Sequence, residues 1–222
     1  DGASVCFIDR IGYRASALLA HGFAALGLIF LAVLPSVLPS AFAGLLISVL
    51  FYAVGGSLLE VIISPIVEAC PTDNKQSVMS MLHSFYCWGH VGVVLISTLF
   101  FTLFGIENWK ILAVCWAVVP AVNIILFAKA PIYSLHEEGE TGLTLKQLFT
   151  RKIFWVMMLM MLCAGASEQA VSQWASTFAE QGLGVSKTIG DLAGPMSFAA
   201  LMGLSRLLYG KFGDKLDLDK FI

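Results

Sequence analysis

The sequence predicts an all-α integral membrane protein, a helical bundle with six transmembrane helices. Three observations carry that prediction. The chain of 222 residues is 58% hydrophobic, with a mean hydropathy of +0.85. Its charged share is 13%, against roughly a quarter in soluble domains. The charges are also segregated: no Lys or Arg lies between Arg14 and Lys75, and Lys110 is the single Lys or Arg within residues 76–128. Apolar runs of this length correspond to membrane spans of about 20 residues each.

The spans follow in order at residues 15–34, 40–69, 76–104, 109–128, 153–180 and 188–209. Pro35 and Pro39 bracket the first turn, Pro71, Thr72, Asp73 and Asn74 mark the second, and Gly182 and Gly184 sit in the fifth. If the segment with Arg10 and Arg14 is cytoplasmic, that side also holds Lys75, Lys129, Lys146, Arg151, Lys152, Arg206, Lys211, Lys215 and Lys220. The opposite side holds Lys110 and Lys187. This positive-inside bias places both ends of the chain in the cytoplasm, with the plasma membrane as the expected location.

The connection between Lys129 and Lys152 differs in kind. "HEEGETG" is charged and carries glycine, whereas "LTLKQLFTRK" sets Leu145, Leu148 and Phe149 on one helical face among basic residues. The second piece predicts a short surface helix with Thr144 as N-cap. The expected organisation is therefore a four-span part at 1–130, a cytoplasmic loop at 131–152, and a two-span part at 153–222. The chain opens on Asp1 with no charged stretch before an apolar one, so a signal peptide is not expected and a piece of a longer protein is.

Composition excludes other classes. A net charge of −2 gives no reason to expect a nucleic-acid partner. The five cysteines, Cys6, Cys70, Cys87, Cys115 and Cys163, show no C-x-x-C spacing and are expected to be small buried hydrophobes. No metal-ligand spacing, nucleophile with a placed base, or glycine-rich phosphate loop occurs, so neither a cofactor, a metal nor enzymatic activity is expected.

Only Glu60 and Glu168 fall well inside spans. An ionised acid at a helix centre costs roughly 3 kcal/mol, so such residues face the bundle interior, take a proton, or pair. Desolvation brings protonation near neutral pH, the physical basis of proton coupling. Glu60 and His83 are expected at similar depth on the cytoplasmic half, where they could face each other. Around His83, "MLHSFYCWGHVG" interleaves Tyr86, Trp88, Gly89, His90 and Gly92. Rings with polar tips suit amphipathic solutes such as sugars. In the fifth span Gln169, Ser172, Gln173 and Ser176 form one polar face flanked by Trp174, with Glu168 at its edge. In lipid such a face must turn toward a cavity.

Two segments echo each other. "VCFIDRIGYR" places Asp9, Arg10, Gly12 and Arg14 before the first span, and "GLSRLLYGKFGDKLDLDK" places Gly203, Arg206, Gly210, Asp214 and Lys215 at the close of the last. This D-R-x-G-x-R and R-x-x-x-G-x-x-x-D-K pair resembles the two copies of the signature loop of the major facilitator superfamily, although Val5 stands where the first copy has glycine. The resemblance implies a transporter with alternating access, the chain covering about helices three to eight of twelve, and the two loops acting as a cytoplasmic gate.

"GGSLLEVIISPIVEACP" followed by "SMLHSFYCWG" further resembles the fucose permease branch, the fucose–galactose–glucose proton symporters. By that resemblance Glu60 takes the place of an acid in proton and sugar coupling. His83 stands where a sugar-contacting Gln does, Tyr86 where an Asn does, and Ser64 where the Asn before Pro65 does. The expectation is a secondary active transporter moving a sugar or similar small polar solute, coupled to protons. Glu60 and Glu168 would couple, with His83, Tyr86, Trp88, Gln169, Gln173 and Trp174 in the cavity. Two alternatives stay open: a proton antiporter for amphipathic drugs, favoured by Phe85, Trp88 and "WVMMLMML", and a membrane sensor that binds solute without moving it.

Overall fold

The computed structural model describes residues 5–133 and 145–213. Thr144, Asp214 and Lys215 lie outside them, as do the side chains of Asp9 and Arg10. Among the described residues the chain is helical, with no strand: α1 (Val5–Val37), α2 (Ala41–Glu68), α3 (Lys75–Phe104), α4 (Trp109–Lys129), α5 (Leu145–Phe149), α6 (Lys152–Leu183), α7 (Lys187–Asp191) and α8 (Ser197–Phe212).

Local chemistry explains the limits. Ser40 caps α2 by accepting the N–H of Ala43 at 3.3 Å, and Asn74 caps α3 by accepting that of Ser77 at 2.9 Å. Gly105, at φ 80°, ends α3, and Gly184, at φ 69°, ends α6, because a left-handed backbone is open to glycine. Proline does not end the helices as expected at the first turn. Pro35, Pro65 and Pro120 all lie inside helices, which membrane helices tolerate when neighbouring groups take up the freed backbone. A short helix, α5, lies in the stretch where a surface helix is expected. Its Phe149 packs on Phe154 and Trp155 at 5.4 and 5.7 Å between ring centres, and the Trp155 indole N–H donates to the Phe149 carbonyl at 2.9 Å.

Among the described residues, five helical segments are long and apolar enough to cross a membrane: Ile11–Val37, Ala41–Glu68, Lys75–Phe104, Ile106–Lys129 and Lys152–Leu183. The sixth expected span, 188–209, is not one α-helix. It divides into α7, one turn of π-helix at Leu192–Met196, and α8. Pro195 lies in that wide turn, where it brings no N–H to the hydrogen-bond ladder.

Two compact units result. The first holds residues 1–79 and 99–135 and the second 80–98 and 136–222. In the first, α1 crosses α2 at glycine contacts. A Cβ on Gly55 would meet the Ala20 carbonyl oxygen at 2.6 Å, and one on Gly44 would meet the Leu34 carbonyl carbon at 2.7 Å. Such spacing lets backbones approach and gain dispersion energy where lipid supplies no hydrophobic drive. Ile8, Ala17, Ala20, Leu58, Ile62 and Ile66 form the buried centre.

Hydrogen bonds from two basic side chains tie this unit further. The Arg14 guanidinium donates to the carbonyls of Phe127, Ala128 and Ala130 at 3.2, 2.5 and 2.8 Å, closing the C-terminal end of α4. Lys110 donates to Ser36 at 2.6 Å. Of the cysteines whose surroundings are described, only Cys87 is buried as expected. Cys70 is half-buried, and Cys115 and Cys163 are exposed on α4 and α6.

Candidate functional site

The second unit gathers charged groups on three helices. On α8, Ala199, Gly203, Arg206 and Gly210 fall within about 60° of one another around the axis. Ala199 and Gly203 are buried. On α3, Ser80, Ser84 and Cys87 form a matching stripe of small side chains, with Ser84 and Cys87 buried. Ser84 donates its hydroxyl to the Gly203 carbonyl at 2.8 Å, and Ser80 donates to the Arg206 carbonyl at 2.7 Å. A Cβ on Gly203 would lie 2.9 Å from that of Cys87. Only glycine admits so close a crossing.

This crossing fixes the α8 backbone from which Arg206 extends. Its Nη2 lies 4.0 Å from Oε2 of Glu168 on α6, with about a third of each side chain exposed at 35% and 32%. The same nitrogen lies 3.8 Å from the sulfur of Met202. His83, on α3 beside the small-residue stripe, interacts electrostatically with both Arg206 and Glu168. One residue expected in the cavity, one expected in coupling and one expected in the gate thus form a single cluster.

The polar stripe on α6 is also present. Gln173 donates to Gln169 at 3.1 Å. Ser176, buried at its far end, hydrogen-bonds Asp191 and accepts from Lys187 at 3.2 Å, while Lys187 pairs with Asp191 at 2.7 Å. Trp174 is exposed beside the stripe, and Tyr86 and Trp88 are exposed on α3.

Glu60 belongs to the first unit and is exposed. The buried stripe of α2 consists of Gly44, Ser48, Gly55, Leu58, Ile62 and Ile66, and Glu60 points roughly 150° away from its centre. Packing within the unit therefore leaves this carboxylate unused.

The signature residues take distinct roles. Gly12 adopts φ 82° and ψ 158° inside α1 and breaks its regular course, a conformation that side chains disfavour. Arg14 closes α4, as described. Gly210 lies in α8, on the stripe shared with Gly203 and Arg206. Sequence reasoning overlooked Ser80, Ser84 and Cys87. Their i, i+4, i+7 spacing against Gly203 was the available signal.

With helices of this length and a polar cluster inside them, the fold is that of a multi-pass membrane protein. The sequence profile of the Major Facilitator Superfamily matches residues 4–222. The chain belongs to that superfamily, whose members carry small-molecule solutes across the lipid bilayer. Neither curated proteins nor solved structures gave a match.

Proposed function

We propose that this chain is part of a proton-coupled secondary transporter for a sugar or similar small polar solute. Residues 187–212 would supply the sixth crossing, with both ends of the chain in the cytoplasm and the protein in the plasma membrane. Transport proceeds by alternating access, the half-bundle before the central loop rocking against the half after it.

The observation that supports this reading is the placement of Glu60. It lies inside an apolar helix on the face that α1 leaves uncovered. A carboxylate there is costly against acyl chains and tolerable against a wetted passage. Glu60 is the coupling residue in this reading, and Glu168 is the second acid. His83, Tyr86, Trp88, Gln169, Gln173 and Trp174 serve the cavity. Asp9, Arg10, Gly12 and Arg14, with Arg206, Gly210, Asp214 and Lys215, serve the cytoplasmic gate, where paired charges favour one packing of the halves over another.

The test is solute uptake by the complete protein in vesicles, across pH, with sugars compared against lipophilic cations. In Glu60→Gln, counterflow should survive while concentrative uptake disappears. Wild-type concentrative uptake by that variant at every pH would show that coupling lies elsewhere. Preference for lipophilic cations would favour a drug antiporter instead.

A further inference from the structure

We propose that the elbow between α5 and α6 binds one anionic phospholipid. Lys146, Arg151 and Lys152 hold its phosphate, and its acyl chains lie along the exposed apolar face of α6. The site does not depend on the transport reading above.

Three observations lead there. First, the elbow is fixed from within. The Thr150 hydroxyl donates to the Gln147 carbonyl at 2.7 Å, and the Arg151 N–H donates to the Leu148 carbonyl at 3.0 Å. The indole of Trp155 closes back on Phe149, and the rings of Phe149, Phe154 and Trp155 pack pairwise at 5.4, 5.7 and 5.6 Å between centres. The cations thus leave a backbone already in place, which spares a ligand the cost of ordering it.

Second, the charge is uncompensated. From Thr141 to Ser167 the chain carries Lys146, Arg151 and Lys152 and no acid, and all three are exposed. The other cations among the described residues of this unit are engaged: Lys187 by Asp191, Arg206 beside Glu168, and Lys211 over the Phe212 ring. Among the described residues the charged ends of Lys146, Arg151 and Lys152 take no hydrogen bond or ion pair.

Third, apolar surface adjoins the cations. Lys152 opens a helix long and apolar enough to cross a membrane. Directly beyond it Ile153, Val156, Met157 and Met160 share one helical face, with exposures of 64%, 53%, 60% and 66%. Cations at the head of an apolar stripe fit a molecule that joins a phosphate to acyl chains, whereas an aqueous anion would leave the stripe unused.

Native mass spectrometry of the complete protein, released from detergent containing phosphatidylglycerol or phosphatidylcholine, tests this. Wild type should retain one phosphatidylglycerol and hold phosphatidylcholine at least about tenfold more weakly. Changing Lys146, Arg151 or Lys152 to Gln should weaken retention roughly fivefold each, and the triple change about 100-fold. Arg151→Lys should keep most of it, because the charge remains. A second measurement leaves the basic residues intact. In nanodiscs, brominated phosphatidylglycerol should quench Trp155, read as the difference between wild type and Trp155→Phe, at a lower mole fraction than brominated phosphatidylcholine.

Equal retention of the two lipids overturns the site, as does equal quenching by their brominated forms. Wild-type retention of phosphatidylglycerol by the triple variant overturns it too. Release of the lipid by inorganic phosphate would make this a free-anion site and overturn the lipid assignment. Retention that appears only once Glu137, Glu138 and Glu140 are changed to Gln would give the surface to the chain's own acids instead.

Discussion

The hydroxyl of Ser84 on α3 donates to the main-chain carbonyl of Gly203 on α8 at 2.8 Å, although the two residues are 119 positions apart. Ser80 repeats the arrangement one turn away at Arg206. Hydrogen bonds between membrane helices average about 0.6 kcal/mol. Ser84→Ala should therefore lower stability by about that amount, and the Ser80→Ala, Ser84→Ala pair by roughly twice as much. Unfolding in mixed micelles with increasing SDS reads the difference. An unshifted midpoint in the double variant would show that the serines do not hold the crossing.

Gly203 should also be a crosslinking position. A Cβ there lies 2.9 Å from that of Cys87, and a disulfide requires about 3.8 Å, so the helices need ease apart by only about an ångström. With the other native cysteines replaced by serine, Gly203→Cys should form a disulfide with Cys87 on mild oxidation. If α3 and α8 separate during transport, uptake should stop on oxidation and return with reductant. Mass spectrometry of the peptides reports the bond, and full uptake by the oxidised protein would mean this crossing stays closed throughout the cycle.

Adjacent glycines on α2 should behave oppositely. A Cβ on Gly55 meets α1 backbone at 2.6 Å, and one on Gly56 meets nothing within 4 Å. Overpacking a tight contact costs about 1–3 kcal/mol. Gly55→Ala should lose that much in thermal unfolding in detergent, while Gly56→Ala should be neutral or slightly stabilising through its helix propensity. Equal melting temperatures for the two variants would contradict the α1–α2 crossing.

Arg14 should matter for stability independently of any gating. Its guanidinium reaches three carbonyls at the end of α4, a cation at a helix C-terminus that contributes about 1 kcal/mol. Arg14→Gln should lose most of this. Arg14→Lys should restore part, since a single ammonium cannot span the same acceptors. The readout is thermal unfolding, and it should weaken little with salt because the bonds run to fixed carbonyls.

The helical class and the bounds of α2, α3 and α4 were legible because their signals are local: long apolar runs, bounded by Pro39 and by the turn at Pro71, Thr72, Asp73 and Asn74. The interruption at Leu192–Met196 was not. Pro195 sits in a stretch apolar enough to be taken as one helix, and a change in hydrogen-bond register leaves hydropathy unaltered. Glu60 and Glu168 stood out as acids in lipid, but the partner of Glu168 did not. The signature pattern assigned Arg206 to the cytoplasmic gate, whereas the fold turns it toward Glu168 on α6. That contact depends on the azimuth of α8, which no local pattern encodes.

The wide turn ahead of α8 has a consequence for that azimuth. A π-turn acts as a one-residue insertion, so everything beyond it is rotated by about 100° from where an unbroken α-helix would carry it. Closing the turn into regular α-helix with no residue removed would bring Met202 and Ser205 to the bearings now held by Gly203 and Arg206. A long thioether would then confront the serines of α3, and the guanidinium would swing out of reach of its acid. The aim of a charge within the helix is thus set by a splice about three turns upstream.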